Sequence, residues 1–83
     1  MQFEGAIISE QGQTFAIVIV KPHVLASPVA RDEAIGSFTR EIGMQTVLMA
    51  QDSRGVPSYW GRRDIVAFLS NVDPGRIPWR RFG

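Results

Sequence analysis

Thr14-Phe15-Ala16-Ile17-Val18-Ile19-Val20-Lys21-Pro22 is the stretch that decides the architecture. β-Branched and aromatic residues dominate it, and Pro22 ends it because proline cannot donate to a sheet ladder. The strand read here runs from Thr14 to Lys21. Side chains on a strand alternate between the two faces of the sheet. Phe15, Ile17 and Ile19 therefore point one way, and Ala16, Val18 and Val20 the other. Both sets are apolar. A strand with one wet face would alternate apolar with polar residues, so this one is central and covered on both sides. Gln45 to Gln51 repeats the pattern, with Val47 and Met49 opposing Leu48 and Ala50.

The remaining elements are placed by their breaks. Phe3 to Ile8 is a strand, joined to the central one through the polar, glycine-containing Glu10-Gln11-Gly12-Gln13, a hairpin signal. Ser27-Pro28 reads as a helix N-cap followed by proline at the first helical position. Ala34, Ile35, Phe38 and Ile42 then form one stripe at helical spacing, and Gly43 stands just past the end. Asp52-Ser53-Arg54-Gly55 turns the chain into a strand from Val56 to Trp60. Ile65, Phe68, Leu69 and Val72 mark an amphipathic helix from Arg62 to Asn71. Asp73-Pro74-Gly75-Arg76 places proline and glycine as a type II turn prefers. Arg76 to Phe82 is a short final strand, which Pro78 confines to a sheet edge.

The order is β-β-α-β-β-α-β within a single α+β domain covering residues 1–83. It predicts one mixed or antiparallel sheet with two helices. Without its first strand the order is that of the ferredoxin-like sandwich, so the expectation is that fold with an extra N-terminal strand. The alternative is a thioredoxin-like α/β arrangement, in which Gln45 to Val72 would supply the closing strand–turn–strand–helix unit. The redox chemistry of that fold needs cysteines, and the chain has none. A strand order alone carries no function.

Two helices totalling about 25 residues cover one face of a four- or five-stranded sheet, by helix diameter against strand spacing. A sheet apolar on both faces then needs a companion surface, because large bare apolar patches are rare on monomers. That cover could be the helices split one per face, an N-terminal strand folding over, or another copy of the chain; the expectation is the last, a symmetric homodimer, sheet to sheet or edge to edge. Its contact residues would be Ile17 and Ile19 on the sheet, with Trp79, Arg80, Arg81 and Phe82 in the tail. Tryptophan and arginine are enriched in such contacts.

Composition narrows the chemistry. A hydrophobic fraction of 45% and a charged fraction of 20% describe a folded domain, not a disordered chain. The absence of cysteine excludes disulfides, thiolate zinc sites and cysteine nucleophiles. With His23 the sole histidine, a multi-histidine metal site within the chain is excluded as well. No cofactor or metal is expected. Met1 to Gly12 holds no basic segment followed by an apolar run, and Phe15 to Val20 falls far short of the ~20 residues that span a bilayer. The expectation is a cytoplasmic protein with no membrane partner.

Net charge is +1 but unevenly spread. Residues 1–53 hold three basic and six acidic residues, a net of −3; residues 54–83 hold six and two, a net of +4. Such asymmetry marks an anionic partner or a self-complementary surface, or is no more than a mixed solvated exterior.

Three clusters carry candidate chemistry. In Tyr59-Trp60-Gly61-Arg62-Arg63, aromatics end a strand and glycine opens a helix. Free N–H groups at the helix start and two guanidinium groups suit a small anion, with the aromatics as an apolar wall. The plain reading is structural capping, with Asp64 offsetting the helix dipole and Gly61 turning the chain. In the tail, Trp79 and Phe82 interleave with Arg80 and Arg81, a pattern that stacks on bases or packs at an interface. A pI near 8.4 and central strands without exposed aromatics argue against nucleic acid. Lys21 and His23 end the central strand, where a general base and an anion ligand could act, yet no carboxylate stands at a spacing that orients the imidazole. The sequence thus reads as a non-catalytic, dimeric interaction or binding module. The alternatives are a small-anion binder using Arg62 and Arg63, and a small dimeric enzyme with a pocket near Lys21 and His23.

Overall fold

Ala16 to Ile19 run parallel to Thr46 to Met49, and these two segments form the middle of a five-stranded sheet. The computed structural model describes residues 2–10 and 12–83. Its elements are β1 (Phe3–Glu10), β2 (Gln13–Ile19), α1 (Pro22–Ala26), α2 (Pro28–Ile42), β3 (Thr46–Gln51), β4 (Pro57–Trp60), α3 (Arg63–Leu69) and β5 (Arg80–Phe82), with a 3-10 turn at Pro74–Arg76. The sheet order is β4-β3-β2-β1-β5. The β2–β3 pair is parallel and every other pair antiparallel. Gln11, expected in the first hairpin turn, lies outside the described residues; its flanks Glu10 and Gln13 pair.

The α+β class stands: one mixed sheet and two main helices. The ferredoxin-like arrangement within that class does not. That arrangement splits its βαβ unit, seating another strand between the two parallel ones. Here β2 and β3 are direct neighbours. Nor is β1 an appendage, since it lies between β2 and β5 and pairs with both. The strand–strand–helix unit shared with the thioredoxin-like alternative forms as β3, β4 and α3.

The helices divide between the faces. Phe15, Ile17, Val47 and Met49 form one core with Ile65 and Leu69 of α3 and Ile77 of the tail. On the opposite face Ala16, Val18 and Leu48 are at 0% exposure, beneath α1 and α2. Phe38 of α2 meets Phe3 of β1 edge-on, at 5.6 Å between ring centres. Each fully buried aliphatic side chain contributes about 1.5–3 kcal/mol. The bare second face that called for a homodimer therefore does not exist. Of the three possible covers, the helices split between the faces are the one observed.

Local chemistry explains the boundaries of α2. The Ser27 hydroxyl accepts from the Ala30 amide at 3.2 Å, and Pro28 occupies the first turn. Gly43 closes the helix at φ 80°, its N–H donating to the Thr39 carbonyl at 2.9 Å. Three details depart from the sequence reading. Pro22, read as a strand stop, also begins the short helix α1. Asp73-Pro74-Gly75-Arg76 is a 3-10 turn capped by the Asp73 carboxylate, which accepts from the Gly75 amide at 2.9 Å, and Gly75 does not take the positive φ of a type II turn. The final strand is only Arg80–Phe82, because Ile77 turns into the core instead of continuing the ladder.

Candidate functional site

Register sends Tyr59 and Trp60 to opposite sides of the sheet. Tyr59 pairs with Met49, on the α3 face; Trp60 pairs with Leu48, on the α2 face. Arg31 of α2 covers the indole of Trp60, its guanidinium carbon 3.7 Å from the ring centre. The two aromatics border, with Gly61, Arg63, Val66 and Ala67, a shallow recess of about 310 Å³ at the edge of the sheet. Burial raises the Tyr59 phenol above its ordinary value of 10.0, and its hydroxyl is buried with no hydrogen-bond partner among the described residues.

The two neighbouring arginines behave differently. Arg62 Nε lies 2.9 Å from Asp64 Oδ1, which also accepts from the Ile65 amide at 2.9 Å. Both side chains are about half exposed, so this is a surface ion pair at the helix start. Arg63 has no ion pair among the described residues and borders the recess. Gly61 is required by close approach, though to the protein itself: a Cβ there would lie 3.0 Å from Val47 Cγ2.

The residues expected at a dimer contact are largely engaged within the chain. Ile17 is at 0% exposure and offers no surface, while Ile19 packs against the same core and is only partly exposed. The Trp79 indole N–H donates to the Pro74 carbonyl at 2.9 Å, and the ring packs against the core. Phe82 stacks on Phe3 at 4.9 Å between ring centres, and the Arg80 guanidinium carbon lies 5.0 Å from the Phe82 ring centre. Arg81 meets Glu4 at 3.4 Å, an exposed pair that contributes little. Lys21 and His23 are exposed at the start of α1, and neither makes a side-chain hydrogen bond or ion pair among the described residues. The structure does not bring them to a shared pocket with the Tyr59 recess.

One feature lay outside the sequence reading. β1 is eight residues long, yet β5 pairs only with Phe3, Glu4 and Gly5. From Ala6 to Glu10 the outer edge of β1 has no strand partner among the described residues. Beside that edge runs a groove of about 400 Å³, lined by Ile7, Ile8, Phe68, Val72, Arg76 and Ile77 among others. Ile7 is 41% exposed. The only sequence signal is indirect, in that Pro78 limits where the last strand can begin.

A scan against family models, a search of curated proteins and a search of solved structures each returned no match. No helix among the described residues is long and apolar enough to cross a membrane.

Proposed function

We propose that this domain is a non-catalytic binding module that captures an extended segment of a partner by strand addition along Ala6 to Glu10 of β1. The observation that carries the reading is the mismatch between an eight-residue strand and its three-residue outer neighbour. Exposed edges are ordinarily blunted by proline, lysine or a covering loop. The other edge strand, β4, is four residues long and begins with Pro57. Ala6-Ile7-Ile8-Ser9-Glu10 contains neither proline nor lysine. Residues 76–78 border the same groove but make no backbone hydrogen bond to it among the described residues. Unpaired backbone groups give affinity to an incoming strand, and alternate side chains read its sequence in the adjoining groove. Phe68, Val72 and Ile77 form the apolar floor of that groove.

Selection of extended peptides from a random display library tests the reading. Binders should shift the backbone amides of residues 6–10, and Ile7→Lys should abolish their binding while leaving the unfolding midpoint nearly unchanged. Binders that map to another surface, or that survive Ile7→Lys, would contradict it. A second copy is one form such a partner could take, and sedimentation across a concentration series separates self-pairing from capture of another chain.

A further inference from the structure

Resting on that reading of the β1 edge, we propose that the captured segment is the free carboxyl terminus of a partner chain, running antiparallel to β1 with Arg76 as the counter-charge of its carboxylate. The open edge is closed by β5 at one end only. Arg80, the first residue of β5, pairs with Gly5, so β5 already occupies the next rungs. Ala6 is 1% exposed, whereas Ile7 is 41% exposed. A captured strand therefore stops opposite Ile7, and β5 sets no limit at the Glu10 end. β1 is antiparallel to both of its present neighbours. An incoming strand of that sense brings its carboxyl end to the start of β5, and a parallel one would bring its amino end there.

Charge selects the carboxyl end. Arg76 lines the groove with Ile77 and Pro78, the residues that lead into β5. Neither Arg76 nor Arg80 meets a carboxylate of the chain among the described residues. Two arginines beside the closed end attract a terminal carboxylate and repel a terminal ammonium. Arginine's planar fork also matches a carboxylate in two parallel hydrogen bonds. At the other end of the edge stands Glu10, exposed and likewise without an ion pair among the described residues. Register then sets the sequence preference, because residues opposite each other on antiparallel strands share a face. The residue opposite Ile8 sits over the groove floor with Phe68 and Val72, so it is apolar. The residue two positions before it falls opposite Glu10 and is basic.

The probe is the peptide acetyl-Thr-Lys-Thr-Val-Val in three forms: the free acid, the carboxyl-terminal amide, and the acid extended by Gly-Ser-Gly-Ser. Amide shifts of the full chain locate binding and calorimetry measures it. The free acid should shift residues 7–10 and bind at least about tenfold more tightly than the amide, as expected when a charge-assisted hydrogen bond is lost. The extended form should be as weak as the amide, because its carboxylate lies beyond the closed end. Arg76→Gln should weaken the acid by a similar factor and leave the amide unchanged. Arg81→Gln, at an exposed residue that meets Glu4, should change neither. Equal binding of acid and amide, or of acid and extended form, would overturn the choice of a carboxyl terminus and leave strand capture standing. An acid that shifts nothing in residues 7–10 at millimolar concentration would overturn it as well. Strand capture itself falls only if the library-selected peptides also map to another surface.

Discussion

Arg31 of α2 stacks on Trp60 of β4, its guanidinium carbon 3.7 Å from the ring centre. The contact fastens the longest helix to an edge strand. Arg31 Nη1 donates to the Leu25 carbonyl at 3.4 Å, while Nε is buried without a partner. The ring face thus supplies the electrostatic attraction that a carboxylate would supply elsewhere. A double-mutant cycle with Arg31→Ala and Trp60→Ala should give a coupling of about 0.5–1 kcal/mol, the range for a cation over a partly exposed ring. Urea unfolding of the four proteins measures it, and strictly additive effects would contradict the assignment.

Division of the helices between the faces makes a second prediction. Ile17 lies under α3 and Leu48 beneath α1 and α2, both at 0% exposure. Ile17→Ala and Leu48→Ala should each cost about 2–5 kcal/mol, the usual range for truncating a buried aliphatic side chain. Neither cost should depend on protein concentration in denaturant unfolding. A Leu48→Ala penalty that changes with concentration would mean that a second copy covers that face.

Close approach of backbones makes Gly5 the less replaceable of two glycines. A Cβ at Gly5 would collide with the Ile17 carbonyl oxygen, which is part of the rigid sheet. At Gly61 the nearest atoms are Val47 Cγ2 at 3.0 Å and Val47 Cα at 3.3 Å, a tight contact but not the outright overlap met at Gly5. Gly61→Ala should cost about 1–3 kcal/mol, in the range of overpacking, and Gly5→Ala more. Thermal unfolding midpoints give the order directly; the reverse order would show that β1 and β2 can separate locally without penalty.

The phenol of Tyr59, the only tyrosine in the chain, offers a titration free of overlap. Burial disfavours its charged form and raises its pKa above 10.0 in the folded state. The unfolded state loses its proton first as pH rises. Stability from this group is therefore fully present below pH 10.0 and is lost as pH climbs through the higher folded value. Phenolate absorbance should titrate later in the native protein than in urea, and the urea midpoint should fall over the same interval. Coincident native and unfolded titrations would contradict the burial of that hydroxyl.

Much of the core was legible in the sequence because it depends on period and capping. Phe15 to Val20 and Val47 to Ala50 announce strands buried on both faces, and Ser27, Pro28 and Gly43 bracket the long helix through local hydrogen bonds. Strand order was not legible. The partner of Phe3 to Gly5 is β5, almost the whole chain away, and nothing local in Arg80-Arg81-Phe82 says so. The five residues of α1 are too few for a helical period to show. At the candidate site, residue types suggested an anion at Arg62 and Arg63, but only geometry shows that Asp64 holds the first and that the second borders the recess with Tyr59. The open edge of β1 follows from where β5 begins, which depends on Ile77 turning into the core.

Amide hydrogen exchange along β1, resolved by residue in the free protein, tests the central claim most directly. The account predicts strong protection throughout the interior of β2 and β3. Between Ala6 and Glu10 it predicts an alternation, with amides bonded to β2 slow and amides facing the open edge fast. Addition of a captured strand should slow the fast set alone. Uniform protection of Ala6 to Glu10 in the dilute, unliganded protein would show that the edge is already covered, and strand capture at β1 would then be excluded.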